Sequence, residues 1–226
     1  MGLFRDFTKT VATIIPFNKG IAISKDQQSG IKVDVDNPTF PIMDLKGILR
    51  VDIVGQTAPS IESYRDNVRG YAYGSGDIQD WTMHVEHWNL VGGDKYLHAH
   101  IRHNGTSISG DLVVTFDVTY NYGHSRVGSP SSIQKVLTIP SATIAADLPQ
   151  YDTHIADILI AQSGGGAGLL DSDQWQPDDD IMVKMTVTTL PTITGGTTNK
   201  IFIPYVDIHC ESTGIGTKNS APDFWA

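Results

Sequence analysis

From Gly47 to Cys210 the chain alternates apolar and polar side chains with a period of two, segment after segment, with turn residues between. The rhythm is sharpest over residues 112–122. Leu112, Val114, Phe116, Val118, Tyr120 and Tyr122 share one face there, and Thr115, Asp117, Thr119 and Asn121 share the other. Such alternation in β-branched and aromatic residues marks a half-buried strand of an antiparallel sheet. Ile181, Val183, Met185 and Val187 repeat it. The same pattern predicts strands over 48–54, 82–88, 96–103, 133–139, 155–161, 181–190 and 201–210, although 154–162 also admits a short helix. Gly92-Gly93, residues 163–168 and 177–180, and Gly195-Gly196 punctuate the loops.

About eight strands without βαβ alternation predict an all-β fold, an antiparallel two-sheet sandwich. Long loops between the strands favour a jelly roll over a hairpin meander. The expected organisation is an extended N-terminal arm (1–44), a sandwich domain (45–212) and a C-terminal tail (213–226). In the arm, Leu3, Phe4, Phe7, Val11 and Ile14 stand at near-helical spacing, which fits a short amphipathic helix or a docking strand. Gly20, Gly30, Pro38 and Pro41 make the rest extended and turn-rich. An arm that cannot bury its apolar residues locally buries them on a neighbour, or packs as an edge strand on its own domain. The expected contact residues are Phe4, Phe7, Ile14, Phe17 and, in the polar tail, Phe224 and Trp225.

Composition narrows the function. A chain of 226 residues can bury a core without disulfides or a structural metal. Lys and Arg number 16 against 25 Asp and Glu, a net charge of -9, and no basic run is present. Nucleic acid is therefore not an expected partner, because gripping a phosphate backbone takes clustered cations. Cys210 is the only cysteine, which excludes an intrachain disulfide, a CxxC redox site and a zinc ribbon. It reads as a small buried residue on a strand. Residues 8–17 are apolar but broken by Thr and closed by Pro16, unlike a signal peptide, so cytoplasmic synthesis is expected. No apolar run approaches a membrane span, and no membrane partner is expected.

Histidines carry the clearest candidate chemistry. His98 and His100 lie on one face of their strand, opposite Leu97, Ala99 and Ile101, and His84 and Glu86 share a face of the preceding segment. If residues 89–94 close a hairpin, the four meet on one sheet surface and can hold a divalent transition metal. The HxH is similar to the cupin metal motif. Arg102-His103-Asn104 stands where cupins place a Glu, however, and no later segment supplies their Gly-Pro approach to a final His. A one-residue slip of register also separates the cluster. The favoured expectation is that these imidazoles pair with backbone or carboxylates, with no metal and no cofactor.

The remaining motifs are plainer. Residues 163–168 are Gly-rich but lack the Lys-Ser/Thr of a phosphate loop, and read as a mobile loop. Asp171, Asp173, Asp178, Asp179 and Asp180 surround Trp175 without EF-hand spacing, and read as a solvated, helix-free loop. Trp81, Trp88 and Trp175 suit sugar stacking or, more commonly, burial. Neither a carboxylate pair nor a Ser–His–Asp order can be assigned, so an enzyme is not expected.

Two stretches, KYLHAHIRHNG (95–105) and VDIHCESTGIGTK (206–218), resemble a family of bacteriophage virion structural proteins. In that family an HxH segment precedes a polar loop and a long aromatic strand, the order taken here by His98-Ala99-His100, residues 104–111 and 115–122. A later Asp-Ile-His-aromatic-Glu strand leads to Gly-Ser. Asp207-Ile208-His209, Glu211 and Gly216-Thr217 match it, with Cys210 for the aromatic residue and Thr217 for Ser. The likeness spans about residues 80–218 and leaves out the arm. It implies a non-enzymatic jelly-roll protein of the virion, a head decoration or cement protein bound to the major capsid protein, expected as a homotrimer. Its alternatives are a collar or tail protein that attaches to surface glycans and, further off, a cupin-like metalloprotein.

Overall fold

Each of the eight alternating segments contains a strand, and shorter strands fill the connections. The computed structural model describes residues 42–50, 57–86, 89, 91–123, 131–143 and 149–212. In chain order the strands are β1 (Ile42–Lys46), β2 (Ile48–Arg50), β3 (Ser60–Arg65), β4 (Val68–Tyr73), β5 (Ile78–His84) and β6 (Lys95–Ile101). There follow β7 (Ser107–Ser109), β8 (Leu112–Asn121), β9 (Ser131–Ile139), β10 (His154–Gln162), β11 (Leu170–Asp171) and β12 (Asp180–Thr189). The last are β13 (Thr192–Thr194), β14 (Ile201–Phe202) and β15 (Val206–Glu211). The expected contact residues Phe4, Phe7, Ile14, Phe17, Phe224 and Trp225 lie outside the described residues, as does Trp88.

The first sheet runs β1-β15-β6-β10-β11 and the second β2-β5-β12-β8-β9. Counting β1, β5, β6, β8, β9, β10, β12 and β15 as strands one to eight, the two sheets read 1-8-3-6 and 2-7-4-5. That order is a jelly roll, two Greek keys folded into facing sheets. Among the described residues all principal pairings are antiparallel, and only the short β10–β11 pair is parallel.

The core lies between the sheets. From the first sheet Leu97, Ala99, Ile101, Ala156, Ile160, Val206, Ile208 and Cys210 point inward. From the second come Trp81, Met83, Val114, Phe116, Val118, Ile181, Val183, Met185 and Val187. Burying side chains of this size contributes about 1.5–3 kcal/mol each, and strict alternation on β8 puts Leu112, Val114, Phe116, Val118 and Tyr120 inside while Val113 faces outward, half-buried. The chain changes sheets at Gly47, between β1 and β2. A Cβ there would stand 2.8 Å from the Val206 carbonyl oxygen and 3.1 Å from Trp81 Cβ, so only glycine fits the crossing.

Several expectations are corrected. The strand predicted over 155–161 forms, as β10, and the helix that segment also admitted does not. Ile42–Asp44, expected in the arm, belong to β1 and pair with β15. Residues 89–94 close no hairpin between β5 and β6. Instead the chain passes from the second sheet to the first, held where Val85 N–H donates to the Asp179 carbonyl (2.8 Å). The β3–β4 hairpin was missed; its turn places Asp66 at φ 50°, a conformation short polar side chains tolerate. The acidic loop is not helix-free, because Ser172–Gln174 form a 3-10 turn capped by the Asp171 carboxylate.

Candidate functional site: the outer face of the first sheet

β6 turns Tyr96, His98 and His100 away from the core, and β15 does the same with Asp207 and His209. Register then sets the neighbours. Lys46, Asp207, His98 and Asp157 form one cross-strand row, and Asp44, His209 and Tyr96 form the next. Directly opposed side chains in such a row interact, here Lys46 with Asp207 and the His98 ring with a carboxylate on either side.

Within the first row His98 Nε2 lies 2.7 Å from Asp157 Oδ1. The N–H therefore sits on Nε2 and donates to Asp157, which leaves the Nδ1 lone pair facing Asp207 Oδ1 at 3.6 Å. His100 Nε2 lies 3.4 Å from the other Asp207 oxygen. His209 stacks edgewise on His98 with ring centres 3.8 Å apart and bonds Asp44 Oδ1 at 2.7 Å. Tyr205 covers His100 at 4.1 Å. These rings seal the cluster although it faces outward: His98, His100 and Asp207 are only 8%, 7% and 3% exposed. Two atoms, His100 Nε2 and Asp207 Oδ1, are buried without a hydrogen bond among the described residues.

Burial, and secondarily the neighbouring His209, lower the pKa of His98, while Asp157, Asp207 and Asp44 oppose them. The imidazole is thus held toward its neutral form. Burial also raises the Asp207 pKa, against the pull of His100 and His98.

The cluster differs from the predicted one. His98 and His100 do come together, but His84 ends β5 in the other sheet and pairs with Asp178 (3.2 Å) and Asp180 (3.4 Å). Glu86 follows it there. The crossing between sheets, in place of a hairpin, separates the four. Their actual companions, Asp207, Asp157 and Asp44, were missed. Asp207 and His209 stood in the Asp-Ile-His motif, yet nothing local says that β15 lies beside β6.

The other candidates are structural. Trp81 and Trp175 are core residues, closed to sugar. The acidic loop spends its carboxylates locally: Asp173 accepts from Gly164 N–H, and Asp179 accepts from Gln176 N–H and bonds the Tyr120 hydroxyl. The Gly-rich loop is fastened by that Gly164 bond and by Gln162, whose side chain donates to the Gly165 carbonyl. Cys210 lies in the core, and burial pushes its thiol up to about 12, as expected of an unreactive residue.

No protein-family model matches the chain, and no curated protein matches it. Among solved structures, a xylan-binding module (CBM15) is similar with TM-score 0.36 and 14% identity, over 76% of this chain and 97% of that one. The jelly-roll assignment stands on strand order alone.

Proposed function

We propose that this chain is a non-enzymatic structural protein of a phage virion, a head decoration protein that binds the major capsid protein and copies of itself. One observation carries the reading. The outermost strands leave β-branched residues in water: Ile42 on β1, Ile48 on β2 and Val136 on β9 are 64%, 71% and 61% exposed. Among the described residues these three strands are each paired on one side only. A free edge with apolar side chains is a template for a neighbouring chain, and β9 offers nine residues of it. The two motifs support the same reading, as do the apolar residues placed in the sequence at both ends. A cement protein stabilises a shell because it binds the assembled state alone.

The test is co-sedimentation of the purified full chain with heads lacking it. Wild-type protein is expected to pellet with them, and Val136→Lys to bind at least tenfold more weakly with an unchanged melting temperature. Heads that ignore the wild-type chain, or take up both proteins equally, refute the reading.

A second reading, glycan attachment from the collar or tail, is favoured by one feature. Tyr96 and Tyr205, each partly exposed, flank the histidines on the outer face and offer rings for a sugar to stack on. Binding on a glycan array that Tyr96→Ala abolishes would establish it, and a blank array would remove it.

A further inference from the structure

We propose that His98, His100 and Asp207 bind one divalent transition-metal ion of the zinc type, which staples β6 to β15 in the middle of the first sheet. The proposal does not depend on the virion reading. Each of the three side chains offers a ligand atom, and these atoms lie within 4.8 Å of one another. Their contacts are poor as direct bonds. Asp207 Oδ1 stands 3.6 Å from His98 Nδ1, and its Oδ2 stands 3.4 Å from His100 Nε2, both beyond ordinary hydrogen-bond lengths. Those separations suit ligands that share an ion: tetrahedral bonds of about 2.0–2.2 Å place donor atoms roughly 3.3–3.6 Å apart.

Burial makes the same point independently. His100 Nε2 and Asp207 Oδ1 are shut away from water with no hydrogen bond among the described residues, a costly state for groups of this kind. An ion placed between them would satisfy both. Asp157 meanwhile does for His98 what a carboxylate does behind a ligating imidazole, taking the Nε2–H and presenting the bare Nδ1 to the centre. Two imidazoles and one carboxylate suit zinc and its first-row neighbours and not calcium or magnesium, which prefer all-oxygen shells. Three protein ligands leave a fourth coordination position beneath the covering rings of His209 and Tyr205.

The experiment uses the full chain, stripped with a chelator and titrated separately with Zn2+ and Co2+. Expected are one ion per chain by calorimetry, a rise in melting temperature with Zn2+, and the intense visible bands of low-coordinate Co2+. Asp157→Asn should weaken binding about 10–100-fold, and His100→Ala and Asp207→Asn should lose the equivalent. His84→Ala, in the other sheet, should bind as the wild type does. The assignment is overturned if the wild-type chain binds no stoichiometric ion. It is equally overturned if His100→Ala and Asp207→Asn keep wild-type affinity, or if His84→Ala loses it.

Discussion

Replacing Trp175 by Ala is expected to cost about 3–5 kcal/mol, because the indole is the floor of a buried corner and nothing can collapse into its place. Trp175 is fully buried and stacks on Tyr120, with ring centres 5.6 Å apart and planes 11° from parallel. Tyr120, near the end of β8, donates its hydroxyl to the Gln174 carbonyl (2.8 Å) and also bonds the buried Asp179 carboxylate. Asp179 in turn accepts from the backbone of Gly123 and Gln176. The ring therefore holds together the end of β8, the 3-10 turn and the approach to β12. In a chain of this size each kcal/mol moves the melting temperature by about 2–4 °C, so the loss is easily measured. Trp175→Phe is the informative control. The indole Nε1 has no hydrogen bond among the described residues, so Phe keeps most of the packing and removes a buried donor that water satisfies in the unfolded chain. Phe should cost less than half of what Ala costs in a urea titration. If Ala costs under about 1 kcal/mol, the corner is not holding these elements.

The strands were legible because their signal is local. A period of two on Leu112–Asn121 needs only ten neighbouring residues, and the core residues of β8 and β12 follow from it. Sheet membership was not legible. Thr82–His84 and Tyr96–His100 read as the arms of a hairpin, but Val85 is bonded to Asp179 and the chain crosses to the opposite sheet. That choice is made by packing between residues distant in sequence, which no local pattern records. The same limit governs the candidate site. His98 and His100 were evident as a pair on one strand face, while Asp207 joins them only through the β15–β6 register. The β3–β4 hairpin had a local sign that was overlooked, Asp66-Asn67 between two alternating runs.

Lys95→Met is expected to stabilise the protein, by about 1–4 kcal/mol, because it replaces a charge inside the sandwich with an apolar chain of similar length. Lys95 opens β6, its neighbours Leu97 and Ala99 alternate into the core, and it is itself completely buried. Burial lowers its pKa, against the opposing pull of Cys210, Glu211 and Asp94. Glu211 and Asp94 are exposed, so removing the ammonium strands neither as a buried charge. The sign of the pH dependence follows. Below the folded pKa both states carry the proton, and the wild-type protein bears the penalty of a buried cation less what its partners return. Between the folded pKa and the ordinary 10.5 the unfolded chain binds more protons than the folded one, so stability rises with pH. Above 10.5 the amine is neutral in both states and the penalty is gone. Urea midpoints of the two proteins, measured from neutral pH upward, should thus converge, with the gap widest at the acid end. A Met variant less stable than wild type at neutral pH, or a gap indifferent to pH, would mean that Lys95 gains more from its partners than burial takes away.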